Sequence, residues 1–273
     1  MRIRYAGALA VATTTALALA CRPGGGELDA SVTSQCTPGQ PSRVILFVDY
    51  SASTRHVTLP PDVRDSLGGL AGRYMRCPGD QVQAFVVHGR TRGMALRASW
   101  SNGLEPPPTR EGKSYNEYRA DSLRYVAQSR RFFRNTAIGI LAFISGIDST
   151  RVAAAHTDLL GSFEVASETF GHGPGGGKRV IIYVSDMFES MTGPGRRDFD
   201  VRPPTNLQEA ERWATIDSAL LRDMRVRTER FSNVTVQVYA RPWGDREGSE
   251  FVRAYWYKMF SQVGISENRA RFN

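Results

Sequence analysis

Val44-Ile45-Leu46-Phe47-Val48-Asp49-Tyr50-Ser51-Ala52-Ser53 decides how this chain is read, because it joins a buried strand to a run of hard oxygen donors. The uninterrupted apolar stretch with β-branched side chains is the mark of a strand covered on both faces. A carboxylate and two hydroxyls follow at once. In an extended or gently turned segment, residues i, i+2 and i+4 project to the same side. Asp49, Ser51 and Ser53 can therefore offer three hard oxygens to one small divalent cation. A second apolar run, Val180-Ile181-Ile182-Tyr183-Val184-Ser185, also ends in an aspartate, Asp186. Upstream of it, Thr157 stands in His156-Thr157-Asp158-Leu159-Leu160-Gly161, where the pattern predicts the start of a helix running to about Phe170.

The rest of the chain alternates strands and helices. Pro60-Pro61-Asp62 opens a helix expected to reach about Met75, Val82 to Val87 reads as a second buried strand, and Met94 to Trp100 as an alternating one at an edge. Tyr118, Leu123, Val126, Phe133, Ile140 and Phe143 recur at helical spacing, which predicts a long helix from Tyr115 to about Phe143. After Asp186 the pattern predicts a Gly/Pro-rich loop through Pro204, a helix from about Asn206 to Arg227, a strand at Val234 to Tyr239 and a last helix from about Ser249 to Val263. Strands joined by helices imply a parallel sheet with right-handed crossovers. No internal repeat and no second domain are visible.

These pieces, in this order, resemble the von Willebrand factor A fold and its metal-ion-dependent adhesion site, over Arg43 to about Val263. The resemblance implies a doubly wound, mostly parallel α/β sheet flanked by helices, of order about 3-2-1-4-5, with one antiparallel edge strand. Strands one and four are then neighbours at the switch point, where ligands settle beyond the carboxyl ends of open sheets. It further implies that Asp49, Ser51, Ser53 and Thr157 supply oxygens to the ion directly or through water, with Asp186 acting through water. Two carboxylates at one crevice repel and raise a proton affinity unless a cation holds them ionised. Mg²⁺ suits the small hard-oxygen set, with Mn²⁺ or Ca²⁺ as substitutes. Hydroxyls and waters neutralise little of the ion's charge, so an acidic side chain of another protein can take its open position. The family commonly has Thr-Asp-Gly at the fourth strand, whereas this chain has Ser185-Asp186-Met187, and it has a shorter path to the threonine. Thr136, inside the long helical pattern, is therefore the rival of Thr157 for the threonine role.

The N-terminus carries Arg2 and Arg4, then an apolar and small-residue stretch from Tyr5 to Ala20, then Cys21. That is the form of an export signal, too short and too closely followed by Gly and Pro for a membrane span. Leu17-Ala18-Leu19-Ala20-Cys21 resembles a bacterial lipobox, in which the cysteine is lipidated. This divides the chain into a signal (1–20), a lipid-anchored tether rich in Gly, Pro, Ser and Thr (21–41) and one α/β domain (42–273). By the same resemblance Arg22 favours the outer membrane, so the cell envelope is the expected location. A plain secreted or periplasmic protein cleaved nearby is the alternative. With Cys21 acylated, Cys36 and Cys77 form an even pair in an oxidising compartment. Each precedes a parallel strand, so both fall at the same sheet edge, where a disulfide is expected.

The net charge of +8 could attract nucleic acid or anionic headgroups. An exported protein rarely meets nucleic acid, and the arginines are dispersed, so a solvated basic surface and a lipid anchor as the membrane contact are expected. The glycine-rich Gly171 to Lys178 is no phosphate loop, since Arg179 replaces the required Ser or Thr and a strand follows. A dehalogenase-type phosphatase needs a carboxylate where Ser51 stands. His56, His88, His156 and His172 have no zinc spacing, and no Gly-x-Ser-x-Gly elbow occurs. A metal-dependent protein-binding module without enzymatic activity is the expectation, against a hydrolase using the metal to activate water or a scaffold that binds no metal.

Overall fold

A computed structural model describes residues 36, 39–51, 59–89, 91, 97–146, 156–171, 176–193, 195–240 and 246–273. Ser53, Cys21 with the export signal, and most of the tether lie outside them. In chain order the elements are β1 (Arg43–Asp49), α1 (Pro61–Gly68), α2 (Leu70–Tyr74), β2 (Gln81–Val87), β3 (Arg97–Ser101), α3 (Tyr115–Ser145), α4 (Leu160–Gly171), β4 (Arg179–Val184), α5 (Leu207–Asp223), β5 (Val234–Tyr239), α6 (Ser249–Gln262) and β6 (Ala270–Phe272).

The six strands form one sheet of order β3-β2-β1-β4-β5-β6. Every neighbouring pair is parallel except β2–β3, which places the antiparallel strand at one edge. This is the doubly wound α/β architecture expected, extended by a sixth strand. Successive β1 side chains enter opposite layers. Val44, Leu46 and Val48 pack with Val63, Leu67, Leu70 and Ile140 from α1, α2 and α3. Ile45 and Phe47 pack with Phe163, Ala214, Trp256 and Phe260 from α4, α5 and α6. A strand with both faces covered has no place for a polar residue until it leaves the sheet, which explains its unbroken apolar run. On the second face, aromatic rings replace aliphatic packing: Phe163 lies 6.3 Å from Trp256 and 5.9 Å from Phe260, and Tyr183 stacks 5.2 Å from Phe47.

Several boundaries differ from the sequence reading, each for a local reason. The helix expected from Pro60 to Met75 breaks at Gly69, a weak helix former that caps α1 and precedes α2. The α3 helix runs two residues past Phe143 and starts at a reciprocal capping box between Ser114 and Glu117. The helix expected from Thr157 starts at Leu160, so Thr157 lies in the preceding loop. β6 was not expected at all. Among the described residues no helix is long and apolar enough to cross a membrane.

Cys36 and Cys77 form a disulfide with a Cα–Cα separation of 5.5 Å. It lies beside the amino ends of the parallel strands. There the buried Asp80 carboxylate accepts the amides of Cys77 (2.7 Å) and Ser42 (2.6 Å), joining the starts of β1 and β2. The bridge closes a 41-residue separation. Replacing both cysteines by serine is expected to lower the unfolding free energy by roughly 4 kcal/mol on the chain-entropy model. Urea titration without reductant reads this, and an unchanged midpoint would show that the bridge adds nothing.

Candidate metal centre

The opposite rim, at the carboxyl ends of β1 and β4, gathers the aspartates. β1 lies between β2 and β4; its crossover through α1 and α2 lies on one face, and the α4 crossover into β4 lies on the other. The two therefore part at this point and leave a crevice above it. Asp49 is the last residue of β1 and Asp186 lies two residues beyond β4; they are 2% and 9% exposed. Burial, and then the charge of Asp186, push the Asp49 carboxyl above the usual carboxylate range. Burial also raises Asp186, against the Phe188 amide and the Arg246 guanidinium. The two acids thus stand at the carboxyl ends of hydrogen-bonded neighbouring strands, and like charges so placed oppose each other's ionisation.

Local hydrogen bonds set their geometry. One Asp49 oxygen accepts the Ser51 amide (2.9 Å), and the other accepts the Ser185 hydroxyl (2.7 Å). That hydroxyl also accepts the Met187 amide (2.9 Å), so Ser185 fastens the ends of β1 and β4 together. Met187 stands where the resembled family has glycine and adopts φ 64°. A left-handed conformation is costly for a side-chain-bearing residue. The Ser185 bond holds the Met187 amide, and the Trp256 indole of α6 donates to its carbonyl at 2.6 Å.

Thr157 is 2% exposed and is clamped to the segment after β4 in both directions. Its amide donates to the Ser190 hydroxyl (2.7 Å), and its carbonyl accepts the Ser190 amide (3.0 Å). On the other side, the Asp158 amide reaches the carbonyl of His88, just after β2 (3.3 Å), and the Thr91 hydroxyl spans the carbonyls of His88 and Asp158. The loop is thus tied at once to the ends of β2 and β4, the two strands that flank β1. His156, its neighbour, bonds through Nδ1 to the Ser190 carbonyl (2.8 Å). Thr136 instead lies inside α3, a helix packed against α1 and α2.

The sequence reading missed the side chains that hold this loop. Glu189 is fully buried, and one of its oxygens accepts the amides of Leu159 (2.6 Å) and Leu160 (3.2 Å) at the start of α4. The other accepts Arg196 Nε (3.1 Å) and Nη2, and Nη2 also bonds Asp158. Four N–H donors on two oxygens leave no room for a proton, so the Glu189–Arg196 pair is ionic while Arg196 is present. Arg197 then pairs bidentately with the buried Asp217 of α5 (2.8 and 2.9 Å) and lies over the Trp213 ring. The post-β4 segment is thus pinned along its length to the helices behind it.

A further unpredicted residue, Arg246, precedes α6. It donates to the remaining Asp186 oxygen (2.9 Å) and to Asp200 (2.7 Å), with its guanidinium 3.9 Å from the centre of the Phe188 ring.

The donor chemistry tests whether these residues suit a divalent ion. Asp49, Ser51, Asp186 and the Thr157 loop bring carboxylate and hydroxyl oxygens to one rim, and two like charges there would be relieved by a cation. Among the described residues no group of three or more His, Cys, Asp or Glu side chains is set to hold a metal. Any ion here would therefore depend on hydroxyls and water as much as on carboxylates, as a hard cation permits. The residues fit such an ion, with Arg246 as a resident competitor for Asp186.

No protein-family model and no curated protein matches the chain. Similar solved structures include an aerotolerance-related membrane protein from Bacteroides fragilis NCTC 9343, at 13% identity and TM-score 0.35 over 85% of this chain and 90% of that one. They also include BatB from Bacteroides thetaiotaomicron, at 14% identity and TM-score 0.36 over 85% and 90%. The pilus adhesin SpaC from Lactobacillus rhamnosus GG gives 13% identity and TM-score 0.40 over 87% of this chain and 28% of that one. The class assigned to this chain, an α/β module of von Willebrand A-like topology, rests on its own strand order and crossovers.

Two outcomes follow from this geometry. Arg196→Met strands two buried carboxylates and is expected to cost roughly 3–5 kcal/mol, the range for breaking a buried pair. In that variant Glu189, raised by burial and no longer opposed by the arginine, holds its proton to higher pH folded than unfolded, so its stability falls as pH rises from acid toward neutral. Urea titrations of both proteins at several pH values read the deficit, which should shrink in acid. Without divalent cations the wild type should show a smaller slope of the same sign, because burial raises Asp49 and Asp186. An Asp49→Asn variant should flatten it.

Proposed function

We propose that this chain is an exported, lipid-anchored von Willebrand A-like module of the cell envelope. It binds a divalent cation, Mg²⁺ in the first place, and through it captures an acidic side chain of another envelope or extracellular protein. Asp49, Ser51, Ser53 and Thr157 would hold the ion, and Asp186 would act through water. The observation that supports the reading is the burial of two carboxylates, Asp49 and Asp186, at the ends of adjacent strands, each pushed toward its protonated form. When bound, the ion would supply an electrophilic position open to a carboxylate. The chain's own part is rigid placement: Ser185 locks the two strand ends, Ser190 and Glu189 fix the Thr157 loop, and waters complete the shell. The lipid on Cys21 would be the membrane contact, and neither nucleic acid nor turnover enters the proposal.

A second reading, a scaffold that binds no metal, has one observation in its favour. Arg246 already gives Asp186 a positive partner, 2.9 Å away. Calorimetric titration with Mg²⁺ and Mn²⁺ separates the two. The wild type is expected to bind and Asp49→Ala to stay silent, and saturation at about a hundred times Kd should stabilise the fold by about 2.7 kcal/mol. Capture of an envelope protein should be abolished by chelator. A wild-type titration indistinguishable from that of Asp49→Ala would favour the scaffold.

A further inference from the structure

Arg246 has more to it than a surface ion pair. Its guanidinium makes two charge-assisted bonds, to Asp186 Oδ2 and to Asp200 Oδ1. It rests on the Phe188 ring, whose own amide donates to the other Asp186 oxygen at 3.0 Å. Both oxygens of the buried aspartate are therefore engaged from within the chain, one by a full positive charge. The side chain of Asp186 is 4% exposed, that of Arg246 31% and that of Asp200 42%. Arg246 thus reaches inward from a partly solvated position, and Asp200 can keep hold of it if Asp186 lets go.

We infer that Arg246 is an internal counter-cation that competes with a divalent ion for Asp186 and so sets the ion affinity of this site. The inference rests on the proposed metal-binding reading and adds to it the residue that tunes the affinity. The physical reason is twofold. Arg246 neutralises the Asp186 charge that would otherwise draw the ion, and a guanidinium held at one side of the crevice repels a second cation. Its effect reaches further than a surface pair would, because Asp186 is buried and poorly screened. The planar fork matters as well, since one terminal nitrogen serves Asp186 and the other Asp200. Lysine offers a single ammonium and cannot reproduce that double grip.

The test is calorimetric titration of the full chain with MgCl₂ and with MnCl₂, for wild type, Arg246→Ala, Arg246→Lys and the double variant Asp49→Ala/Arg246→Ala. Thermal melting of each protein without metal verifies that it is folded. Arg246→Ala is expected to bind Mn²⁺ at least about tenfold more tightly than wild type, a change of about 1.4 kcal/mol. Arg246→Lys should fall between the two, and the double variant should be silent. A silent wild type beside a titrating Arg246→Ala supports the inference, with the arginine masking the ion site, and at the same time favours the scaffold reading for the native chain. Equal affinities in wild type and Arg246→Ala overturn it. Weaker binding in Arg246→Ala also overturns it and would make Arg246 an organiser of Asp186. Silence in all four proteins removes the metal-binding reading itself, a result distinct from the other two.

Discussion

Two acidic side chains from neighbouring strand ends are buried at one rim, and the surrounding structure is arranged around their charge. Asp49 and Asp186 cannot both ionise in a crevice of low dielectric without positive compensation nearby. Hydrogen bonds from Ser51, Ser185 and the Phe188 amide supply part of it, Arg246 supplies more at one end, and the remainder is what a small divalent cation would provide. The burial follows from the sheet. Because β1 and β4 are covered on both faces by helices, their first polar residues appear only where the strands emerge, and there the β1 and β4 crossovers part.

That arrangement ties the rim to the last helix. Trp256 of α6 holds the carbonyl of Met187 in its left-handed turn, and Arg246, just before α6, holds Asp186 itself. The loop bearing Thr157 is held independently, by Ser190 and by the buried Glu189–Arg196 pair. One side of the crevice is therefore braced by a buried ion pair behind α4, the other by a half-exposed arginine at the start of α6. The first is a matter of stability. The second sits close enough to Asp186 to bear on what the crevice binds.

Much of the fold was legible because its signals are local. The apolar runs at β1, β4 and the second half of β2 exceed what a half-exposed strand would show, β5 alternates with period two, and helical spacing marks α3. β6 escaped notice because three residues with the exposed Arg271 in the middle carry no period; its register comes from pairing with β5. The break at Gly69 depends on a single glycine within a helical pattern. Asp49, Ser51 and Asp186 could be placed because strand ends are predictable from the runs that precede them, whereas Ser53 lies outside the described residues. Arg246, Glu189 and Arg196 could not. Arg246 reaches Asp186 across 60 residues, and although Glu189 and Arg196 are only 7 apart, their work is on the Leu159 amide and Asp158, 30 and 38 residues away, which no spacing rule connects.

The central claim is that Asp49 and Asp186 share one cation. The most direct measurement is anomalous diffraction at the manganese edge from crystals of the protein grown with MnCl₂. The account predicts a single strong peak above the ends of β1 and β4, within coordinating reach of Ser51 and Thr157 and displaced from Arg246. A clear map with no peak there, and Arg246 still bonded to Asp186, would contradict it.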